Sequence, residues 1–235
     1  MKVRLLVLLA VFTLLPAAIL SVFPSTVLSA QSSCPSGGNP PPGSTVNGGL
    51  DVDGTCILDD VTVNGGITVE ATGHLEIQRG TVNGVIVTTA GTVCPPGSVS
   101  DADIWTAQID GGISVSGTFP AARPFICGNE IRGGVTLTDI ATVFGFFLGD
   151  PDAPAPGSAG CPGNTIHGTL HVTNSRNLEV ESNIIGGSVL LSGSVLELNG
   201  NTINGSLRCS NGTIILPGEP PDTQGNTVRG ANTCD

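Results

Sequence analysis

Residues 201–210 read NTINGSLRCS, and the pattern recurs as NTIHGTLHVT at 164–173 and NEIRGGVTLT at 129–138. The shared unit is an Ile or Val, any residue, a Gly, a mostly small residue, an aliphatic, any residue, and usually a second aliphatic. It starts at Val46, Val63, Val82, Ile109, Ile131, Ile166, Ile185, Ile203 and Val228, with successive spacings of 17, 19, 27, 22, 35, 19, 18 and 25. The short spacings give a bare period of 17–19 residues, and the longer ones are that period with an insertion. Within bare units a second strand signal follows: HLEIQ at 74–78, NLEVE at 177–181 and VLELN at 195–199. Its alternation sets Leu75 and Ile77 on one face and Glu76 on the other, as in a half-buried strand.

So short a unit, broken by Gly and Asn corners, cannot close a sandwich or a helical hairpin. It makes one turn of an all-β, three-sided parallel β-solenoid, in which each coil pairs with its neighbours and inward aliphatics stack into a continuous core. Asn stands two residues before the start in five copies, Asn129, Asn164, Asn183, Asn201 and Asn226, which predicts an amide ladder along one corner. The Gly two residues after the start is present in all nine copies and predicts a place with no space for a side chain.

The stretch GNTINGSLRC at 200–209 resembles the coils of right-handed parallel β-helix proteins, the pectate-lyase-like superfamily. TVNGGITVEATGHLEIQRGTVNG at 62–84 is similar to the repeat of the bactofilins, which are polymer-forming β-helices. The likeness covers residues 46–234 and implies a right-handed column, to which the nine repeat starts give about eight or nine coils. At ~4.8 Å per coil that is a rod of ~40 Å. The β-helix lyases generally use Lys or Arg bases on anionic sugars, often with Ca²⁺. This chain has no Lys beyond residue 30, and only Arg123 and Arg132 fall near its insertions.

Residues 1–30 set MKVR before an apolar run, LLVLLAVFTLLPAAILSVF, and a small-residue exit ending at Ala30. That is the order of a secretory signal peptide, and the run is also long enough to serve as an uncleaved anchor. A Pro/Gly-rich segment, 31–45, leads into the solenoid, 46–235. Beyond residue 30 there are six Arg and nineteen carboxylates, a formal charge of 6 − 19 = −13. No basic track for nucleic acid can be built from that, and polyanions are disfavoured overall. The partners left open are an extracellular polysaccharide or an envelope component.

Seven Cys without a CxxC spacing, in an exported chain, point to disulfides. Cys209 and Cys234 each lie six residues after a repeat start and should stack within bridging distance. Cys127 and Cys161 both precede the Asn corner and could bridge likewise. Cys34 with Cys56 would tie down the N-terminal segment, and Cys94 is left over.

The insertions, 88–108, 116–130 and 138–163, are expected to leave one corner and form a single lobe, 88–163. The lobe holds Trp105, Phe119, Phe125, Phe144, Phe146 and Phe147, with Asp101, Asp103, Asp110, Arg123, Asp150 and Asp152. One reading is a ligand platform, Trp105 stacking on a sugar and the charged groups bonding its hydroxyls. The other is a satellite core holding long loops together. The i, i+2 spacing of Asp101/Asp103 and Asp150/Asp152 specifies no glycosidase geometry, and no catalytic motif is present. His167 and His171 are expected outward on a strand, too far apart to share a metal. Glu179 and Glu197 should stack one coil apart at ~4.8 Å. A Ca²⁺ could sit between them with help from Glu181, or they could splay into solvent. The expectation is a non-catalytic secreted or cell-surface structural or adhesive solenoid. The alternative is a carbohydrate-binding or carbohydrate-cleaving protein using the 94–161 region.

Overall fold

Val, Ile and Thr dominate the short segments between glycines, and β-branched side chains suit a pleated, half-buried surface. In a computed structural model of the protein, described over residues 27–29, 32–34, 38–89, 102–119, 123–153, 160–218 and 224–234, these segments stack as parallel strands on three faces. The apolar run 5–23, Cys94 and Asp101 lie outside the described residues.

The first face is a ten-stranded parallel sheet that opens with Val27–Ser29, Thr45–Asn47 and Thr62–Asn64 and ends with Thr227–Val228. Its register runs through Val46, Val63, Val82, Ile109, Ile131, Ile166, Ile185, Ile203 and Val228, so all nine repeat starts share one inward column. Removing each such side chain from water contributes about 1.5–3 kcal/mol. The second and third faces belong to one seventeen-stranded sheet, because Val135–Leu148 runs across both. The third face comprises Thr55–Asp59, His74–Gln78, Ala102–Trp105, Phe125–Cys127, the end of Val135–Leu148, Arg176–Glu181, Val195–Asn199 and Ile214–Leu216. Long-range pairing between successive coils is thus parallel throughout, and the inner aliphatics form one core.

The corner glycines are required by the closeness of the coils. A Cβ on Gly111 would lie 2.3 Å from the Gly84 carbonyl oxygen, and one on Gly133 would lie 2.4 Å from that of Gly111. These backbones also hydrogen-bond: the Gly133 N–H donates to the Gly111 carbonyl at 2.7 Å, and Gly187 to Gly168 at 2.9 Å. At the opposite corner the Asn column forms the expected ladder. Successive Nδ2–Oδ1 bonds from Asn129 through Asn164, Asn183 and Asn201 to Asn226 are 2.9, 2.9, 3.0 and 2.9 Å long.

The three disulfides are Cys34–Cys56, Cys127–Cys161 and Cys209–Cys234, with Cα separations of 5.5, 5.0 and 4.8 Å. Several details differ from the sequence reading. Strands Val27–Ser29 and Ser32–Cys34 pair with Thr45–Asn47 and Leu50–Val52, so the column begins upstream of Val46. The excursions do not share one corner. Those between Ile86–Thr89 and Ala102–Trp105, and between Ile113–Phe119 and Phe125–Cys127, lie between the second and third faces. The segment after Leu148 lies between the third face and the first. The described parts of the lobe therefore flank the third face from both edges. Phe119 and Phe146 belong to the main core, edge to face at 6.4 Å, and are not part of the lobe.

Candidate functional site

Alternation along the third face turns every second residue outward, and the parallel register lines those residues up. One outward column reads Glu76, Asp103, Phe125, Phe147, Glu179, Glu197. Acidic residues flank an aromatic middle, and each part has its own environment.

The aromatic part is a small second core of Phe125, Cys127, Phe147, Ala153 and Cys161, with half-buried Trp105 at its edge. Phe125 and Phe147 stack at 5.0 Å with their planes 13° apart, and Trp105 tilts against Phe125 at 5.8 Å. The Arg123 guanidinium lies 5.7 Å from the Phe147 centroid, and its Nε donates to the Phe144 carbonyl at 3.0 Å. Rings and cation are therefore engaged with one another, the arrangement that holds long excursions to a column. Asp103 is 6 % exposed and does not project as a ligand arm. Asp110 is not in the lobe: it directly follows the first-face strand Gln108–Ile109, 3.0 Å from Arg132 Nη1.

The acidic part is built by the segment after Leu148. Asp150 and Cys161 exchange backbone hydrogen bonds of 2.6 and 2.9 Å, and the Cys127–Cys161 bridge pins that pair to the third face. The Asp150 carboxylate accepts the N–H groups of Asp152 and Ala153 at 3.2 and 3.1 Å, closing the DPDA turn. Side-chain oxygens of Asp150, Asp152 and Glu181 all lie within 4.8 Å of one another. Asp150 and Glu181 are each only 3 % exposed, and Glu181 also accepts Asn199 Nδ2 at 3.1 Å. Beside them stands half-buried Glu179, facing Asp150 and stacked on Glu197.

Burial, then a hydrogen bond to Asp150 and the nearby carboxylates, pushes Glu179 up to about 8. Burial likewise pushes Asp150 up to about 6. Both shifts have the same direction, so the buried pair favours holding a proton, with Glu179 the more strongly raised. Two carboxyl groups in direct hydrogen-bond contact leave no space for a sugar between them, unlike the ~5 Å or ~6.5–9.5 Å separations of glycosidases. Three carboxylates are also only part of a Ca²⁺ shell, which takes about 6–8 oxygens.

The sequence pairing of Glu179 with Glu197 holds as a stack. The convergent oxygens, however, are those of Asp150, Asp152 and Glu181, with Glu197 at the rim. The legible signal would have been the DPD turn placed after the third strand of its coil instead of after the first. His167 is exposed beside Glu130 at 3.4 Å, and His171 is exposed on the second face. Comparisons with protein-family models, curated proteins and solved structures gave no match to this chain.

Proposed function

We propose that this protein is an exported, non-catalytic rod, a structural or adhesive element whose lobe on the third face is its contact surface. The observation that carries this reading is the internal use of the lobe's chemistry. The rings of Phe125 and Phe147 face each other, Arg123 covers Phe147, and Glu179 is bonded to Asp150. A rigid, self-satisfied surface suits contact with a large protein component of the envelope better than turnover of a small substrate. The three disulfides are compatible with an extracellular compartment, and the signal-like segment 1–30 belongs to the same proposal.

A carbohydrate-binding role has one supporting observation, the half-exposed indole of Trp105 at the edge of the aromatic stack. A glycan-array screen of wild type beside Trp105→Ala separates the two readings. The rod reading expects no glycan signal that depends on Trp105. A signal abolished by Trp105→Ala, in a variant that remains folded by circular dichroism, would replace it with the carbohydrate reading.

A further inference from the structure

A groove of about 510 Å³ lies on the outer second face near the C-terminal coils, away from the third-face lobe. Its walls follow from the register. His171, Leu190 and Arg208 stack in one outward column, and Thr173, Ser192 and Ser210 stack in the next. Columns two residues apart on a strand are separated by about 6.6–6.8 Å, and the backbone at inward-facing Leu191 forms the floor between them. The volume is that of a small-ligand cleft.

Its chemistry departs from the rest of the molecule. None of the lining residues is acidic, in a chain with nineteen carboxylates and a net charge of −11. Arg208 is exposed and makes no ion pair among the described residues, whereas Arg79 is bonded to Asp59 at 2.6 Å and Arg132 to Asp110 at 3.0 Å. The opposite wall supplies hydroxyls. Ser192 Oγ accepts Asn211 Nδ2 at 2.7 Å, which leaves its own proton to donate into the groove. Thr173 adds a second hydroxyl on that wall and Thr233 extends the Arg208 column. A guanidinium fork on one side and hydroxyl donors on the other line opposite walls of the same groove. That arrangement matches a tetrahedral oxyanion better than a planar carboxylate, which a single fork satisfies from one edge. Leu190 offers an apolar surface for a carbon chain attached to the anion.

We infer that this groove binds a phosphate or sulfate ester group carried by an extracellular molecule, with Arg208 as the principal contact. The inference is independent of the lobe, so glycan binding that survives Trp105→Ala but not Arg208→Gln belongs here. The repulsive field of the acidic chain keeps non-specific polyanion binding low, so saturable binding reports the groove itself.

The test is calorimetric titration of the purified protein at low ionic strength with glycerol phosphate, methyl sulfate and acetate. Arg208→Gln is the variant, and Arg229→Gln, an exposed arginine on the first face, is the control. The expected result is saturable binding of a phosphate or sulfate ester that exceeds any acetate binding. Arg208→Gln weakens it at least tenfold and Arg229→Gln leaves it unchanged. Which ester binds tighter identifies the source of the anion. Acetate binding as tight as either ester, an unaffected Arg208→Gln, or no saturable binding would each overturn the inference.

Discussion

Asn183 makes four hydrogen bonds from a side chain that is 1 % exposed. Its Nδ2 donates to the Leu148 carbonyl at 2.7 Å and to Asn201 Oδ1 at 3.0 Å. Its Oδ1 accepts the Asn164 backbone N–H at 2.8 Å and Asn164 Nδ2 at 2.9 Å. Only a primary amide has both the two donors and the two acceptor sites. Asn183→Leu would keep the branching of the side chain but remove all four bonds in a dry corner, although Asn201 Oδ1 keeps the Asn183 N–H and Asn164 Nδ2 keeps the Ile126 carbonyl. With each lost hydrogen bond worth about 0.5–1.5 kcal/mol, the variant should lose about 2–6 kcal/mol of unfolding free energy, read by urea denaturation; a loss below about 1 kcal/mol would show that the ladder is not a stabilising network. The ladder was legible because five Asn keep one offset from an aliphatic that must point inward. A second ladder, Asn47–Asn64–Asn83 with bonds of 2.7 Å, keeps an equally regular offset on the exposed side of the first face. It is harder to read because exposed Asn near Gly is equally the signature of an ordinary turn.

The strand Arg176–Glu181 and the excursion that folds over it form a unit whose stability depends on protons. In the folded protein Glu179 titrates near about 8 instead of 4.5 and Asp150 near about 6 instead of 3.8. Raised acid pKa values mean that the fold favours the protonated forms. Their contribution is therefore complete below about pH 4 and is lost as pH rises through about 6 and then about 8. Discounted for the solvent that screens both groups, the loss should be about 1–2 kcal/mol. Glu179→Gln keeps a donor for Asp150 without a titrating proton, so it should flatten most of that slope. Urea midpoints at pH 5 and pH 8.5 for both proteins decide the matter, and a wild type as stable at 8.5 as at 5 would contradict the shared-proton arrangement. Repeat spacing revealed how long each excursion is, but not which corner it leaves. Val135–Leu148 runs from the second face to the third as one strand, with a register break before Phe146, so the residues after it leave from the third face's far edge. That is why Asp150 and Asp152 meet Glu181 although they are distant in sequence.

Contacts in this molecule run from each coil to the next, so its stability is close to a sum of coil terms and nearest-neighbour interfaces. A column of that kind is weakest at its ends, where strand edges lack a partner and the core has one open side. The C-terminal end has both features. Among the described residues its last coil pairs through Thr227–Val228 and Asn232–Thr233 alone, and Cys209, Ile215, Val228 and Cys234 are partly buried against the core. The bridge between Cys209 and Cys234, 25 residues apart in sequence, holds this coil to the one before it, and closing a loop of that length is worth about 3 kcal/mol. Replacing both cysteines with serine should release residues 224–234 locally. Amide exchange there should rise steeply while the amides of Leu170–Thr173 and Val189–Ser192, flanked by coils on both sides, keep their protection. Exchange that rises equally along the whole column would mean that the rod unfolds as one cooperative body, and the nearest-neighbour description would have to be given up. Local release would identify the three bridges as devices of position: one for the first coils, one for the third-face excursion and one for the last coil, leaving the bare coils between them to hold by packing, the glycine corner and the Asn ladder alone.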